Sequence, residues 1–234
     1  MSISTVNLSS GYGKLRVLFD INISIPQNSV TAIVGPNGAG KTTLLNSIYG
    51  LADVFEGRIL FDGVDITRFK PYKRARLGIA YVPQMFNIFS ELTVYENLVI
   101  AGYLLDKKEL KERIDIILDL FPKLGEFLHR KAGTLSGGER RMLAIAMGLM
   151  KNPRVLLLDE ITTDLAPIIV KKVLNTVIDI KDKLKVTVVL VEQYVRRALE
   201  ISDKVYLLVS GRIRFEGNPK DLENSELAKI YLGL

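Results

Sequence analysis

The chain has 234 residues, of which 48% are hydrophobic and 25% charged, with a formal charge of +6. That length suits one α/β domain with a sizeable core, and the composition excludes a disordered class. It has no cysteine and a single histidine, His129, so disulfides, thiolate zinc sites, cysteine nucleophiles and histidine clusters are excluded. No apolar run approaches the roughly 20 residues needed to span a bilayer, and MSISTVNLSS lacks the features of a signal peptide. The expected location is the cytosol, with any membrane reached through a partner.

In chain order, residues 3–8 and 15–25 read as strands joined through Gly11, Tyr12 and Gly13, which would leave the Tyr12 ring accessible. Residues 30–34 form a short β-branched strand. It is followed by a glycine-rich turn and a helix opening at Lys41, Thr42 and Thr43. Gly35, Pro36, Asn37, Gly38, Ala39, Gly40, Lys41 and Thr42 fit the P-loop pattern G-x-x-x-x-G-K-[ST] without a mismatch. The glycines free backbone N–H groups to converge on a phosphate, and the positive pole of the following helix faces the same point. Lys41 then reaches the β- and γ-phosphates, and the Thr42 hydroxyl is placed to ligate Mg²⁺.

Residues 57–62 and 79–82 read as strands, and Gln84 follows the second at its carboxyl end, where ligands of open α/β sheets gather. A basic cluster, Arg68, Lys70, Lys73, Arg74 and Arg76, reads as a solvated face, with nearness to lipid headgroups as the second reading. His129 reads as a surface residue. From about residue 85 to 150 the pattern is helical. A capping box at Thr93 and Glu96 opens one helix, and the face Leu110, Ile114, Ile117, Leu118 and Phe121 marks a second, stopped by Pro122. This insert suggests a helical subdomain whose apolar faces form its own core or serve a partner.

Leu135, Ser136, Gly137, Gly138 and Glu139 begin another helix. Ser136 and Glu139 fit a capping box, yet two glycines in the first turn weaken a helix by up to about 1 kcal/mol each. That weakening makes sense where an anion approaches the exposed N–H groups. Residues 155–158 form an apolar strand ending in Asp159 and Glu160. Buried adjacent acids need a compensating cation or proton, so with the P-loop they form a site. Asp159 would serve Mg²⁺ or its water shell, and Glu160 would orient or deprotonate the attacking water. Pro167 opens a helix, residues 186–191 form a buried strand ending in Glu192 and Gln193, and a hairpin at 205–216 and a helix at 225–232 close the chain.

These landmarks, in this order, resemble the ATP-binding subunits of ABC transporters over essentially the whole chain. The resemblance implies a P-loop NTPase core of ABC ATPase type with an antiparallel β subdomain and a helical subdomain, about 85–150, inserted in a single domain spanning 1–234. It assigns adenine stacking to Tyr12, ATP binding to Gly35 through Thr43, the Q-loop glutamine to Gln84 and the signature to Leu135 through Glu139. Mg²⁺ would fall to Thr42, Gln84 and Asp159, and hydrolysis to Lys41, Glu160 and Gln193. Gln193 stands where the family usually has histidine, Ile161 where proline often follows the catalytic glutamate, and Ala166 at the D-loop aspartate position. The VEQ context, Leu165-Ala166-Pro167 and the ending Tyr231-Leu232-Gly233 are similar to the LivF-type subunits of branched-chain amino-acid importers.

The implied partners are membrane permease subunits and a second ATP-binding subunit, as a homodimer or a LivG-like heterodimer. A solute-binding protein outside the cell would act indirectly, and no nucleic acid is expected. The chain would sit on the inner face of the cell membrane through the permease. Soluble ABC ATPases of DNA repair or translation usually carry long coiled-coil insertions or paired halves, and generic P-loop GTPases a guanine-reading N-K-x-D sequence, none of which occurs here.

Overall fold

The computed structural model describes residues 2–85, 87–192 and 194–233. Four strands, β1 (Ile3–Tyr12), β2 (Leu15–Ile25), β4 (Asp53–Phe61) and β5 (Val64–Asp65), form an antiparallel sheet in the order β2-β1-β4-β5. A second sheet has the order β10-β9-β3-β8-β7-β6. It comprises β3 (Val30–Val34), β6 (Ile79–Val82), β7 (Val155–Asp159), β8 (Thr187–Val191), β9 (Lys204–Val209) and β10 (Arg212–Gly217). Five of its strands are parallel, and β10 returns antiparallel along β9.

Both faces of this second sheet are covered, which is why β3, β7 and β8 are buried at every position and largely apolar rather than alternating. On one face α1 (Lys41–Tyr49) lies between the two sheets. Its Leu44, Leu45 and Ile48 join Ile33, Leu157 and Val189 on one side and Ile3, Leu18 and Ile59 on the other. Each such fully buried side chain contributes about 1.5–3 kcal/mol. On the opposite face, Ala32, Leu156 and Leu190 meet α6 (Gly137–Leu149) and α7 (Pro167–Leu184).

The segment between β6 and β7 is helical: α3 (Val94–Ala101), α4 (Lys107–Leu120), α5 (Pro122–Gly125) and α6. The Thr93–Glu96 capping box is formed in both directions. Ile114 and Ile117 of α4 are buried, and Pro122 both ends α4 and occupies the first turn of α5. Arg113 of α4 donates from Nε and Nη2 to the carbonyl oxygen of Leu149, the last residue of α6, at 3.0 and 2.7 Å.

Three details differ from the reading of the sequence. Gly11 and Tyr12 belong to β1, and the turn lies at Gly13, φ 57°. Gly11 is a strand glycine because an added Cβ would stand 1.9 Å from the carbonyl oxygen of Leu15. Strand β4 begins at Asp53 rather than Gly57. Gly57 is an internal irregularity at φ 81° that fits against the backbone of Asn7, where a Cβ would lie 2.3 Å from a carbonyl oxygen.

The third correction concerns the basic cluster. A short helix, α2 (Pro71–Arg76), carries Arg74 inward until it is only 1% exposed. Its guanidinium donates to the carbonyl oxygens of Ser47 and Ile48 in the last turn of α1, at 2.6 and 2.7 Å. Further bonds reach Phe69 and Thr67 at 2.9 and 2.8 Å. Burial lowers its pKa to about 10, with Asp65 opposing. Arg68, Lys70, Lys73 and Arg76 are exposed, as is His129. After α8 (Val195–Ile201) the chain ends in β9, β10, α9 (Pro219–Glu223), which the sequence did not reveal, and α10 (Glu226–Leu232).

Candidate active site

The parallel strands β3, β8, β7 and β6 are neighbours in that order, and the loops leaving β3, β7 and β6 bring the candidate residues together. After β3 the chain turns through Gly35–Gly40 into α1. An added Cβ at Gly35 would stand 2.0 Å from the Leu208 carbonyl oxygen, and one at Gly40, φ 103°, would stand 2.7 Å from Leu18 Cδ2. These two glycines are thus required on the outer side of the loop, where β9 and β2 press against it. At Gly38, φ 76°, a Cβ would meet nothing within 4 Å, so only backbone conformation demands glycine there. Asn37 and Gly38 are exposed at the crest, while Ala39 is buried and Pro36 partly so.

Lys41 is 5% exposed, and its Nζ donates to the carbonyl oxygens of Gly35 and Pro36 at 3.0 and 3.1 Å. It stands 3.9 Å from Glu160 Oε1. Burial lowers the Lys41 pKa, and the carboxylates of Glu160 and Asp159 oppose that fall. Thr43 is buried in the first turn of α1.

Asp159 closes β7 at 2% exposure. Its Oδ1 accepts from Thr42 Oγ1 at 3.1 Å and its Oδ2 from the Tyr81 hydroxyl at 3.0 Å. Burial raises its pKa; the Tyr81 and Thr42 hydrogen bonds oppose this, Glu160 adds to it and Lys41 counters it. A buried carboxylate beside a threonine hydroxyl, with its nearest bonds to neutral groups, is suited to a hard divalent cation. Among the described residues no cluster of three or more histidine, cysteine or acidic side chains could hold a metal alone. A cation here would therefore need phosphate or water oxygens as well.

Glu160 is buried and held at φ 47°, left-handed for a residue with a side chain, while its N–H donates to the Val191 carbonyl oxygen at 2.8 Å. Its Oε2 accepts from Gln84 Nε2 at 2.9 Å. Lys41, Thr42, Gln84, Asp159 and Glu160 therefore form one connected cluster. Tyr12 is half exposed, and its hydroxyl oxygen accepts from Asn46 Nδ2 of α1 at 2.7 Å, on the outer flank of the P-loop helix. Gln193 lies outside the described residues.

Leu135–Glu139 belongs to the helical segment. Ser136 accepts from the Glu139 N–H, while Glu139 accepts from the Ser136 N–H at 2.9 Å and pairs with Lys123 at 3.0 Å. Ser136 and Gly137 are exposed, and Leu135 is buried beneath them. Close packing supplies a reason for Gly138 that the sequence did not disclose, since a Cβ there would stand 2.5 Å from Ile169 Cγ2 of α7. Sequence reasoning also missed Tyr81, the penultimate residue of β6, which adjoins β7. It gave no role to Arg141, which falls outside the motifs, nor to Glu192, which entered only as part of the VEQ context.

A family model described as ABC transporter matches residues 18–163. A probable branched-chain amino acid transport ATP-binding protein LivF from Archaeoglobus fulgidus is 52% identical over 233 residues, with 99% of each chain covered. Among solved structures, an ATP-binding cassette of an ABC transporter in its ADP conformation is similar with a TM-score of 0.89 and 30% identity, covering 98% of this chain and 97% of that one. An ATP-binding cassette solved as a dimer in a post-hydrolysis state with ADP and Pi is similar with a TM-score of 0.81 and 25% identity, covering 93% and 98%. With a P-loop, two acids at the end of β7 and this overall match, the chain belongs to the ABC transporter family of ATP-binding subunits.

Proposed function

We propose that this chain is the ATP-hydrolysing subunit of an importer for branched-chain amino acids. One observation carries the chemistry: a Thr42–Asp159 hydrogen bond, a Gln84–Glu160 hydrogen bond and a Lys41–Glu160 ion pair bring the P-loop together with the consecutive acids Asp159 and Glu160 and with Gln84. Gly35–Thr43 bind the phosphates, with Lys41 exchanging its carbonyl partners for phosphate oxygens, and Tyr12 stacks on the adenine. Mg²⁺ fits Thr42 and Asp159 with Gln84 at its margin, where it would neutralise phosphate charge. Water attacks the γ-phosphorus, the bond to the β–γ bridging oxygen breaks, and ADP and phosphate leave. Glu160 orients that water or takes its proton, and Gln193 contacts the γ-phosphate.

We read residues 1–234 as one ATP-binding domain whose helical part, about 85–150, is inserted in the P-loop core. Exposed Ser136 and Gly137 suit a signature that serves the nucleotide of a second subunit. The dimeric relative is consistent with that arrangement. The amino-acid class follows the relative's name and the VEQ and Leu165-Ala166-Pro167 contexts. Exposed Met85 and Phe89 after Gln84, Ile100 on α3, and Tyr103 and Leu104 in the turn that follows support a contact with membrane permease subunits, and hence a place on the inner membrane face. No described helix is long and apolar enough to cross a membrane.

The test is Glu160→Gln. The amide keeps shape but not charge, so the variant should bind ATP, lose hydrolysis and elute as a dimer with ATP and Mg²⁺ on size-exclusion chromatography. Normal hydrolysis in that variant would refute the assignment.

A further inference from the structure

Arg141 lies on α6, two residues past Glu139, and its half-buried side chain lines a cleft of about 400 Å³ with Gly137, Thr163, Asp164 and Asn87. Its Nη1 donates to the carbonyl oxygen of Gln84. The Gln84 side chain in turn donates from Nε2 to Glu160 Oε2 at 2.9 Å. One residue thus stands between the signature helix and the carboxylate assigned to hydrolysis.

A second arm reaches the same carboxylate from β8. Glu192 is fully buried, and its Oε1 accepts from the Thr162 N–H at 3.1 Å while Oε2 accepts from Thr162 Oγ1 at 2.5 Å. Thr162 is two residues beyond Glu160, whose own N–H is held by Val191, the neighbour of Glu192. The left-handed backbone that aims Glu160 is therefore tied down at 160 by Val191, the last residue of β8, and at 162 by Glu192, the residue after it. Holding a residue in that region costs on the order of 1–3 kcal/mol unless its surroundings fix it.

The two arms also meet electrostatically. Burial lowers the Arg141 pKa, while Glu192 and, more weakly, Asp164 counter that. A fully buried carboxylate is costly unless hydrogen-bonded, and Thr162 supplies Glu192 with two such bonds.

We propose that Arg141 and Glu192 are positioning residues for Glu160, Arg141 through Gln84 and Glu192 through Thr162, so that a shift of the signature helix reaches the hydrolytic carboxylate. The inference rests on the reading of Glu160 given above. It predicts a defect in turnover separate from ATP binding, which a purely structural role would not produce.

The experiment compares the parent chain, Glu160→Gln, Arg141→Met, Arg141→Lys, Glu192→Gln and the Arg141→Met/Glu192→Gln double variant. Three quantities are measured on each: kcat for ATP hydrolysis, Kd for a fluorescent ATP analogue, and the thermal midpoint. Arg141→Met and Glu192→Gln should each lower kcat about tenfold or more with Kd changed by less than about twofold. Arg141→Lys should recover part of the loss. The double variant should lose less than the product of the single losses, because both act on one carboxylate. Multiplicative losses, or a Kd that rises as much as kcat falls, would overturn the proposal. If Glu192→Gln does not fold, the Arg141→Met split between kcat and Kd decides alone. An inactive parent chain, or a fully active Glu160→Gln, would refute the underlying reading. An active parent with inactive Glu160→Gln and fully active Arg141→Met would refute this inference by itself.

Discussion

Arg74→Met should destabilise the chain substantially, although a count of surface charges would treat Arg74 as dispensable. Methionine keeps much of the apolar stem but leaves the carbonyl oxygens of Ser47, Ile48, Thr67 and Phe69 without their shared cationic donor. Each buried acceptor left unmatched costs about 1–2 kcal/mol, and the lost bond to Ser47, whose oxygen keeps the Gly50 N–H at 3.2 Å, costs about 1 kcal/mol, so the four together cost on the order of 4–7 kcal/mol. Against this, removing the guanidinium recovers its desolvation penalty. The fall of its pKa to about 10 corresponds to roughly 3 kcal/mol at about 1.4 kcal/mol per tenfold. The net loss is about 1–4 kcal/mol, which in a chain of this size lowers Tm by roughly 3–12 °C. Thermal and urea unfolding without nucleotide would measure it. Arg74→Lys should recover less than half, because an ammonium cannot reproduce a planar fork reaching both the α1 terminus and the loop before α2. A Tm and urea midpoint unchanged in Arg74→Met would refute the reasoning.

Asp159→Asn should stabilise the nucleotide-free protein at pH 7 while abolishing Mg²⁺-dependent hydrolysis. Burial raises the Asp159 pKa above the ordinary carboxylate value, so between the unfolded and folded pKa values the folded state holds a proton that the unfolded state has released. That contribution is fully present below the unfolded pKa and is lost as pH rises through the folded one. Thermal scans from pH 4 to 8 should show the parent losing stability relative to the variant as pH rises, and a variant less stable at pH 7 would contradict this. Lys41→Ala and Ser136→Arg should each abolish turnover as homodimers, whereas mixing them should restore part of it, because a mixed dimer keeps one composite site intact. No recovery with mixed dimers verified would count against sites shared between chains.

The strands and the longer helices were legible because their apolar spacing follows burial, and the P-loop because its glycines, lysine and threonine are fixed by local geometry. What escaped depends on tertiary approach. The charge of Arg74 pointed to solvent, and only the folded chain brings α2 against the end of α1. Gly57 read as a strand boundary, whereas it marks an irregularity set by a neighbouring strand. Gly138 read as an opening for an anion, although Ile169, 31 positions away in sequence, also requires it. Tyr81, Arg141 and Glu192 meet their partners across 78, 57 and 30 positions respectively, beyond the reach of any local pattern.

The arginines at the far ends of α1 and α6 shape the electric field as well as the packing. Arg74 sits on the carbonyls that end α1, as Arg113 does for α6. A helix alone is a dipole, and its negative pole cancels part of the attraction that its positive pole exerts on an anion. A fixed cation buried at the negative pole turns the dipole into a net positive rod. Over the nine residues of α1, about 14 Å at 1.5 Å each, one such charge adds roughly 1 kcal/mol per unit of phosphate charge at an effective dielectric of about 20. Because that source lies in the interior, dissolved salt screens it far less than it screens exposed lysines. ATP affinity should therefore fall less steeply with ionic strength than affinity based on surface charge alone.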